Sequence, residues 1–223
     1  MSTVSRGNKG EEKVISTLKK IKVNHHVFNN ISFISEKNEM THQIDHVLVH
    51  PHGVFVIETK NYYGEIISDT GEGYWVKIVK GKKEIIRNPL NQNKTHVKVV
   101  KRILKSTDVI SLVVFVKNNA PYMPDDNVIN LKDLLLFVDC YPYKKIINKE
   151  EIKEICRKIR ENRVKITKSE HLENISYLKQ IKKENKAEIE FAIENNKCPR
   201  CGANIIQNRY NFNCSKCDFK FKL

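Results

Sequence analysis

The chain has 223 residues, 40% of them hydrophobic, enough for one core of ordinary size with a small appendage and too many for a disordered tail. Its 40 Lys and Arg outnumber 26 Asp and Glu, and a formal charge of +14 favours a polyanionic partner, nucleic acid or an acidic membrane surface. The polar opening MSTVSRGNKGEEK is unlike a signal peptide, and the longest apolar runs, such as Ile110 to Val116, fall far short of the roughly 20 residues that span a bilayer, so neither secretion nor membrane insertion is expected.

Val14, Ile15, Leu18, Ile21 and Val23 recur close to a helical repeat and predict an amphipathic helix over 10–23. HHVFNNISFI reads as a strand. A hairpin follows, Gln43 to Val49 and Val54 to Lys60, turned by Pro51, His52 and Gly53. YWVKIVKGKKEIIRNP repeats the pattern around a turn at Lys80 to Lys83, and Pro89 then starts a helix to about Lys105. DVISLVVFVKNN is too apolar for an edge and is placed as a buried, parallel strand; VINLKDLLLFV supplies another short strand or a helix start. From Asn148 to Asn196 Lys and Glu dominate, and two helices, 148–163 and 170–195, fit as a solvated connector more readily than as a coiled coil.

The last 26 residues hold two Cys-x-x-Cys pairs, Cys198 with Cys201 and Cys214 with Cys217, separated by twelve residues. That interval suits a hairpin returning the second pair beside the first, which closes a tetrahedral, structural Zn²⁺ site. Four of the six cysteines so placed argue for metal in a reducing cytoplasm rather than for disulfides; Cys140 and Cys156 read as packed or idle thiols. Arg200, Arg209, Lys216, Lys220 and Lys222 are interleaved with Tyr210, Phe212, Phe219 and Phe221, a mixture suited to single-stranded nucleic acid, although so small a module needs some of these aromatics for its core. The segment resembles the C-terminal zinc fingers of bacterial type I topoisomerases, which implies DNA binding.

QIDHVLVHPHGVFVIETKN carries a second constellation. Asp45 lies near the start of one hairpin strand, and Glu58 and Lys60, two apart near the end of the next, share a face. Phosphodiester hydrolysis needs a divalent ion and a cation to position the nucleophile or offset charge; Asp45 and Glu58 suit Mg²⁺ or Mn²⁺, and Lys60 would orient the attacking water. His42, His46, His50 and His52 crowd the same hairpin. His46 must point away from Asp45, and His50 and His52 flank the turn, so a histidine metal site is not expected. Trp75 reads as core or an edge-strand anchor.

From GEEKVISTLKKI through HQIDHVLVHPHGVFVIETKNYYGEI to RNPLNQNKTHVKVVKRIL the sequence resembles the nuclease-related domain, NERD, a branch of the PD-(D/E)xK restriction-endonuclease-like superfamily. The resemblance covers roughly residues 7 to 116. It implies that Glu11 joins Asp45, Glu58 and Lys60 in the site and that Gln92 comes near it. Read from the residues alone, Glu11 and Glu12 are acids favoured by a helix N-terminus, and Gln92 caps a helix or faces solvent. Ile44 stands before Asp45 where the superfamily often has Pro.

The expected architecture is therefore α/β, a restriction-endonuclease-like mixed sheet flanked by helices over 1–145, then a helical connector over 146–197 and a Cys₄ zinc ribbon over 198–223. The expected function is Mg²⁺- or Mn²⁺-dependent cleavage of DNA, with the ribbon assisting binding, no membrane partner, and room for a homodimer that cuts two strands. The alternative is a DNA-binding or DNA-processing accessory protein with a weak or unused site, and an RNA-directed nuclease is a third reading.

Overall fold

The computed structural model describes residues 3–35, 40–68, 74–105, 107–117, 126–208 and 211–222, and the chain divides into two compact units, 1–166 and 167–223. In chain order the first holds α1 (Thr3–Leu18), β1 (His26–Ile34), β2 (Thr41–His50), β3 (Gly53–Lys60), β4 (Glu65–Ser68), β5 (Tyr74–Val79) and β6 (Lys82–Arg87). It continues with α2 (Pro89–Leu104), β7 (Val109–Phe115), β8 (Val128–Asn130), a 3₁₀ turn at Leu131–Asp133, α3 (Leu134–Cys140) and α4 (Lys149–Asn162).

β1, β2 and β3 form an antiparallel meander, and β7 and β8 extend it in parallel, giving a five-stranded mixed sheet in the order β1-β2-β3-β7-β8. The central strands are apolar along their length because both faces are covered. Val54 and Val56 pack with Val97, Val100 and Leu104 of α2 and Ile152, Ile155 and Ile159 of α4. Phe55 and Ile57 pack on the other side with Val14 and Leu18 of α1 and Leu134 and Val138 of α3. The apolar run of β3 stops at Glu58, so its charged end emerges at one end of the sheet on the α2 side.

A second, three-stranded sheet, β4-β5-β6, packs Ile66, Trp75 and Ile86 on Val113, Phe115 and Val128. Trp75 is only 2% exposed and belongs to this core. The β5–β6 turn is tighter than the Lys80 to Lys83 loop expected: Lys80 and Gly81 both take left-handed φ, 50° and 77°, as a two-residue hairpin requires, and pairing runs out to Val79 and Lys82.

Helix boundaries differ from the sequence reading at α1, which begins at Thr3 and stops at Leu18, where Lys20 and Ile21 bond back three residues rather than four. α4, expected within a solvated connector, instead buries Ile152, Ile155, Cys156 and Ile159 against the main core. Its composition averages a charged face with a narrow stripe at i, i+3, i+4 and i+7, and the average hides the stripe. Asn148 and Glu151 close a capping box at its start.

The second unit is α5 (Lys168–Asn195) followed by β9 (Ile205–Asn208), β10 (Asn211–Cys214) and β11 (Lys220–Lys222), an antiparallel sheet in the order β11-β10-β9. Ala192 of α5 joins Cys198, Ile205, Phe212 and Phe219 in one small core, so the end of the helix is part of the ribbon's packing. Among the described residues no helix is long and apolar enough to cross a membrane.

Candidate active site and cysteine cluster

β2 and β3 pair as far as His46 opposite Ile57, and the next residues of the two strands are Asp45 and Glu58. Opposed residues of an antiparallel pair project to the same face. Asp45 is held by a bond from the Thr59 N–H to its Oδ2, at 2.8 Å. Lys60 Nζ donates to Glu58 Oε1 at 2.6 Å and to Gln92 Oε1 at 3.1 Å. Asp45, Glu58, Lys60 and Gln92 thus converge where the β2–β3 ladder ends and α2 begins.

A local irregularity accompanies the site. Phe28, Val47 and Val49 share the core under α2 and α4, yet Ile31 and Ile44, odd steps away, enter the same core. Both strands therefore change phase between these pairs, at Asn30, whose φ is 50°, and Asp45. Strict alternation cannot place Ile44, Asp45 and Val47 all on the α2 side of the sheet; the distorted step does.

Glu11 comes from the opposite layer. Gly10 lies so close to the end of β3 that an added Cβ would stand 2.8 Å from the Asn61 Cβ, and this approach brings α1 to the same strand end. The crowding has an electrostatic signature. Burial first, then Glu58 and more weakly Glu11, push the Asp45 carboxyl up to about 8 against the Thr59 N–H and Lys60. Burial also raises Glu58, with Glu11 adding to it and Lys60 opposing. For Lys60, burial alone would lower the ammonium, but Glu58 and Asp45 hold it above its usual range. Buried acids that resist ionisation beside one shared lysine form a site short of positive charge.

Glu58 is 3% exposed, and its Oε2 accepts no hydrogen bond among the described residues. A buried, unsatisfied carboxylate oxygen beside a second carboxylate is what a hard divalent cation would occupy, so the residues fit Mg²⁺ or Mn²⁺. Among the described residues the one group of three or more His, Cys, Asp or Glu side chains gathered closely enough to hold a metal ion is the cysteine cluster.

His96 was not singled out in the sequence. Its Nδ1 lies 3.5 Å from Glu58 Oε2, and its ring meets that of His42 edge to face at 6.2 Å. The available signal was helical spacing, since Gln92 and His96 are four apart on the helix opened by Asn88 and Pro89. Asn93, between them, fastens α2 to the sheet by donating to the carbonyls of Val56 and Leu112 and to Ser111 Oγ. The other histidines serve the fold. His46 Nδ1 lies 2.8 Å from Asn29 Oδ1, the His50 ring accepts the His52 N–H, and His52 stacks on Tyr143 at 4.5 Å between centroids.

In the second unit the four cysteine sulfurs lie within 4.8 Å of one another, with Cys198 to Cys217 at 3.5 Å and Cys201 to Cys214 at 3.4 Å. A tetrahedral Zn²⁺ with bonds of ~2.3 Å needs sulfurs about 3.8 Å apart, so the cluster is compatible with a zinc ribbon. Gly202, at φ 72°, turns the first knuckle and returns its N–H to the Cys198 carbonyl. Burial opposes ionisation of Cys214, yet the N–H groups of Lys216 and Cys217 and the neighbouring thiols pull it down to about 6.

The ribbon's aromatics turn inward. Phe212 and Phe219 are buried, and Phe221 stacks on Phe212 at 4.7 Å. Arg200 lies over the Phe219 ring and pairs with Glu188 at 3.1 Å. Lys216 and Lys220 are exposed; Arg209 and Tyr210, expected to face nucleic acid, lie outside the described residues, as does the Lys222 side chain.

A mixed five-stranded sheet with two carboxylates, a lysine and a glutamine gathered at one strand end has the organisation of a nuclease-like α/β protein. Residues 6–116 match the family model of the nuclease-related domain, NERD, and this part of the chain belongs to that family. It is also 29% identical over 152 residues to an uncharacterised protein of Bacillus anthracis, covering 65% of this chain and 71% of that one. No solved structure matches the chain.

Proposed function

We propose that this protein is a metal-dependent deoxyribonuclease hydrolysing DNA phosphodiesters. The observation that carries the reading is the meeting of Asp45, Glu58 and Lys60, with the second oxygen of a buried Glu58 left unsatisfied. Asp45 and Glu58 would hold the metal. A Mg²⁺ or Mn²⁺ ion held there would supply Lewis-acid chemistry for phosphodiester hydrolysis. Lys60, positioned by Glu58 and Gln92, orients the attacking oxygen and offsets charge developing on the phosphate. Glu11 adds negative charge at the rim. The ribbon, through Lys216 and Lys220, assists by holding the same DNA and raising its effective concentration at the cutting domain.

The accessory-protein reading has one observation in its favour: Glu58 is engaged by Lys60. One assay separates the two. Supercoiled, linear and single-stranded DNA, and RNA, are incubated with the protein in Mg²⁺, Mn²⁺ or EDTA. Cleavage of DNA in Mg²⁺ or Mn²⁺ and none in EDTA is expected; binding without cleavage in any metal would favour the accessory role, and cleavage of RNA alone would redirect the substrate.

A further inference from the structure

α2 carries a face that the site chemistry does not use. The helix PLNQNKTHVKVVKRIL contains no Asp or Glu, and its cations Lys94, Lys98, Lys101 and Arg102 are all exposed, followed by exposed Lys105 at the C-cap. At about 100° per residue the four helical cations fall within an arc of about 100°, on the side away from buried Val97, Val100 and Leu104. None of the five forms an ion pair among the described residues. The contrast is α4, whose five cations are accompanied by four glutamates, and where Lys153 pairs with Glu150, Arg157 with Glu154 and Glu161, and Lys158 with Glu154. One helix neutralises itself. The other leaves its charge for something outside the chain.

The track also has a position. Its first turn holds Gln92, bonded to Lys60 of the candidate site, and the cations follow along the same helix at a rise of ~1.5 Å per residue. From Lys94 to Arg102 that is ~12 Å, the axial reach of three to four phosphates at ~3.4 Å each along one strand. Apart from Asn91 and Thr95 this face is ammonium and guanidinium on flexible stems, groups that hold phosphates and do not read bases.

We infer that the exposed face of α2 is the phosphate track of the nuclease domain, holding the DNA backbone beside the site where Lys60 and Gln92 meet, without reading sequence. This rests on the nuclease reading above. It goes beyond it in assigning binding to α2 rather than to overall charge or to the ribbon alone.

The test measures binding of the full chain to a fluorescent DNA duplex by anisotropy, with no Mg²⁺ or Mn²⁺ added so that nothing is cut and no chelator that would strip the ribbon, across a series of salt concentrations. The triple variant Lys98→Ala, Lys101→Ala, Arg102→Ala is compared with Lys149→Ala, Lys153→Ala, Lys158→Ala on α4, which removes the same three charges. The α2 variant is expected to lower the slope of log K against log salt by about 2 to 3 and to weaken duplexes of different sequence equally, at ~0.9 per lost phosphate contact. The α4 variant is expected to keep the wild-type slope. Equal slopes for wild type and the α2 variant, or equal losses in both triples, would overturn the inference and leave the nuclease reading standing. Wild-type protein that binds no duplex at low salt would remove both. Circular dichroism of both variants checks the fold, which these exposed positions are not expected to disturb.

Discussion

The two candidate metal centres of this chain are built on opposite plans. In the ribbon, four candidate ligands come from one stretch of twenty residues; Cys198 is buried with Phe212, Phe219 and Ala192, and Cys214 and Cys217 pack against that core, so an ion held there would be part of it. In the nuclease-related domain, Asp45, Glu58, Lys60, Gln92 and Glu11 come from two strands and two helices, and the sheet and helix layers fold without needing an ion in their cores. A closed site of soft ligands makes structure. An open site of hard ligands, short of positive charge, makes chemistry at a cost in electrostatic repulsion. Removing metal should therefore do different things in the two places.

The largest effect is expected in the ribbon. Reduced, freshly purified protein should contain about one Zn²⁺ per chain, and a strong chelator, or Cys198→Ser with Cys201→Ser, should unfold the ribbon while the five-stranded sheet persists. Structural zinc contributes on the order of 10 kcal/mol to comparable small modules, more than a five-residue core can replace. Amide exchange followed by mass spectrometry distinguishes the two units. Absence of zinc, or a ribbon still protected after chelation, would break the contrast at its stronger end.

At the open site the same operation should remove activity and leave the fold. Asp45→Asn and Glu58→Gln keep shape and delete a ligand charge, so cleavage should fall to background and metal affinity should collapse, with circular dichroism unchanged. Lys60→Ala should still bind Mn²⁺ while the hydrolytic step slows by roughly 10² to 10⁴, the range for loss of a positioned electrostatic or proton-handling group. If the wild type cuts DNA and the Asp45 and Glu58 variants cut equally well, the chemistry lies elsewhere.

The two plans also differ in how legible they are. Cys-x-x-Cys spacing encodes the cluster within one local segment, and the sulfurs do gather. Glu58 and Lys60 were legible from strand alternation, and Asp45 from the hairpin. Glu11 and Gln92 came only through family resemblance, because no local pattern says that α1 approaches β3 at Gly10 or that α2 starts beside Lys60. His96 was missed for the same reason. The buried parallel strand β7 was readable from its unbroken apolar run, whereas the packing of α4 was masked by its charged face. The phase change at Asn30 and Asp45 left no mark in the sequence, since Asn at a positive φ has many ordinary uses.

A smaller effect separates ligands from their surroundings. Glu11→Gln removes charge that raises both Asp45 and Glu58 without removing either ligand. A loss of roughly 10- to 100-fold in metal affinity or activity is expected, as for groups that tune ligands from outside. Mn²⁺ titrations of cleavage should show the half-saturating concentration rising. A loss as complete as that of Asp45→Asn would place Glu11 among the ligands.

Acid offers the finest separation, because it attacks the two units through different groups. In the ribbon, protons compete with zinc for the thiolates. In the first unit His50 is buried and its Nδ1 accepts the His52 N–H, which it can do only while that nitrogen carries no proton. Burial, with His52 adding and Asp139 opposing, lowers His50 from 6.5 to about 4. Between those values the unfolded chain binds more protons than the folded one, so the stability due to His50 is complete above 6.5 and drains away as pH falls through about 4. Trp75, the one tryptophan of the chain, is buried in the first unit, so its fluorescence during thermal melting reports that unit and not the ribbon. Zinc release, followed with a chromogenic chelator in parallel, reports the other. Melting temperatures from Trp75 should fall from pH 7 to pH 4.5 in the wild type and fall less in His50→Gln, whose side chain carries no titrating charge, while the pH of zinc release is the same in both. A His50→Gln protein with an unaltered acid slope would show that other buried groups carry the pH response of the first unit.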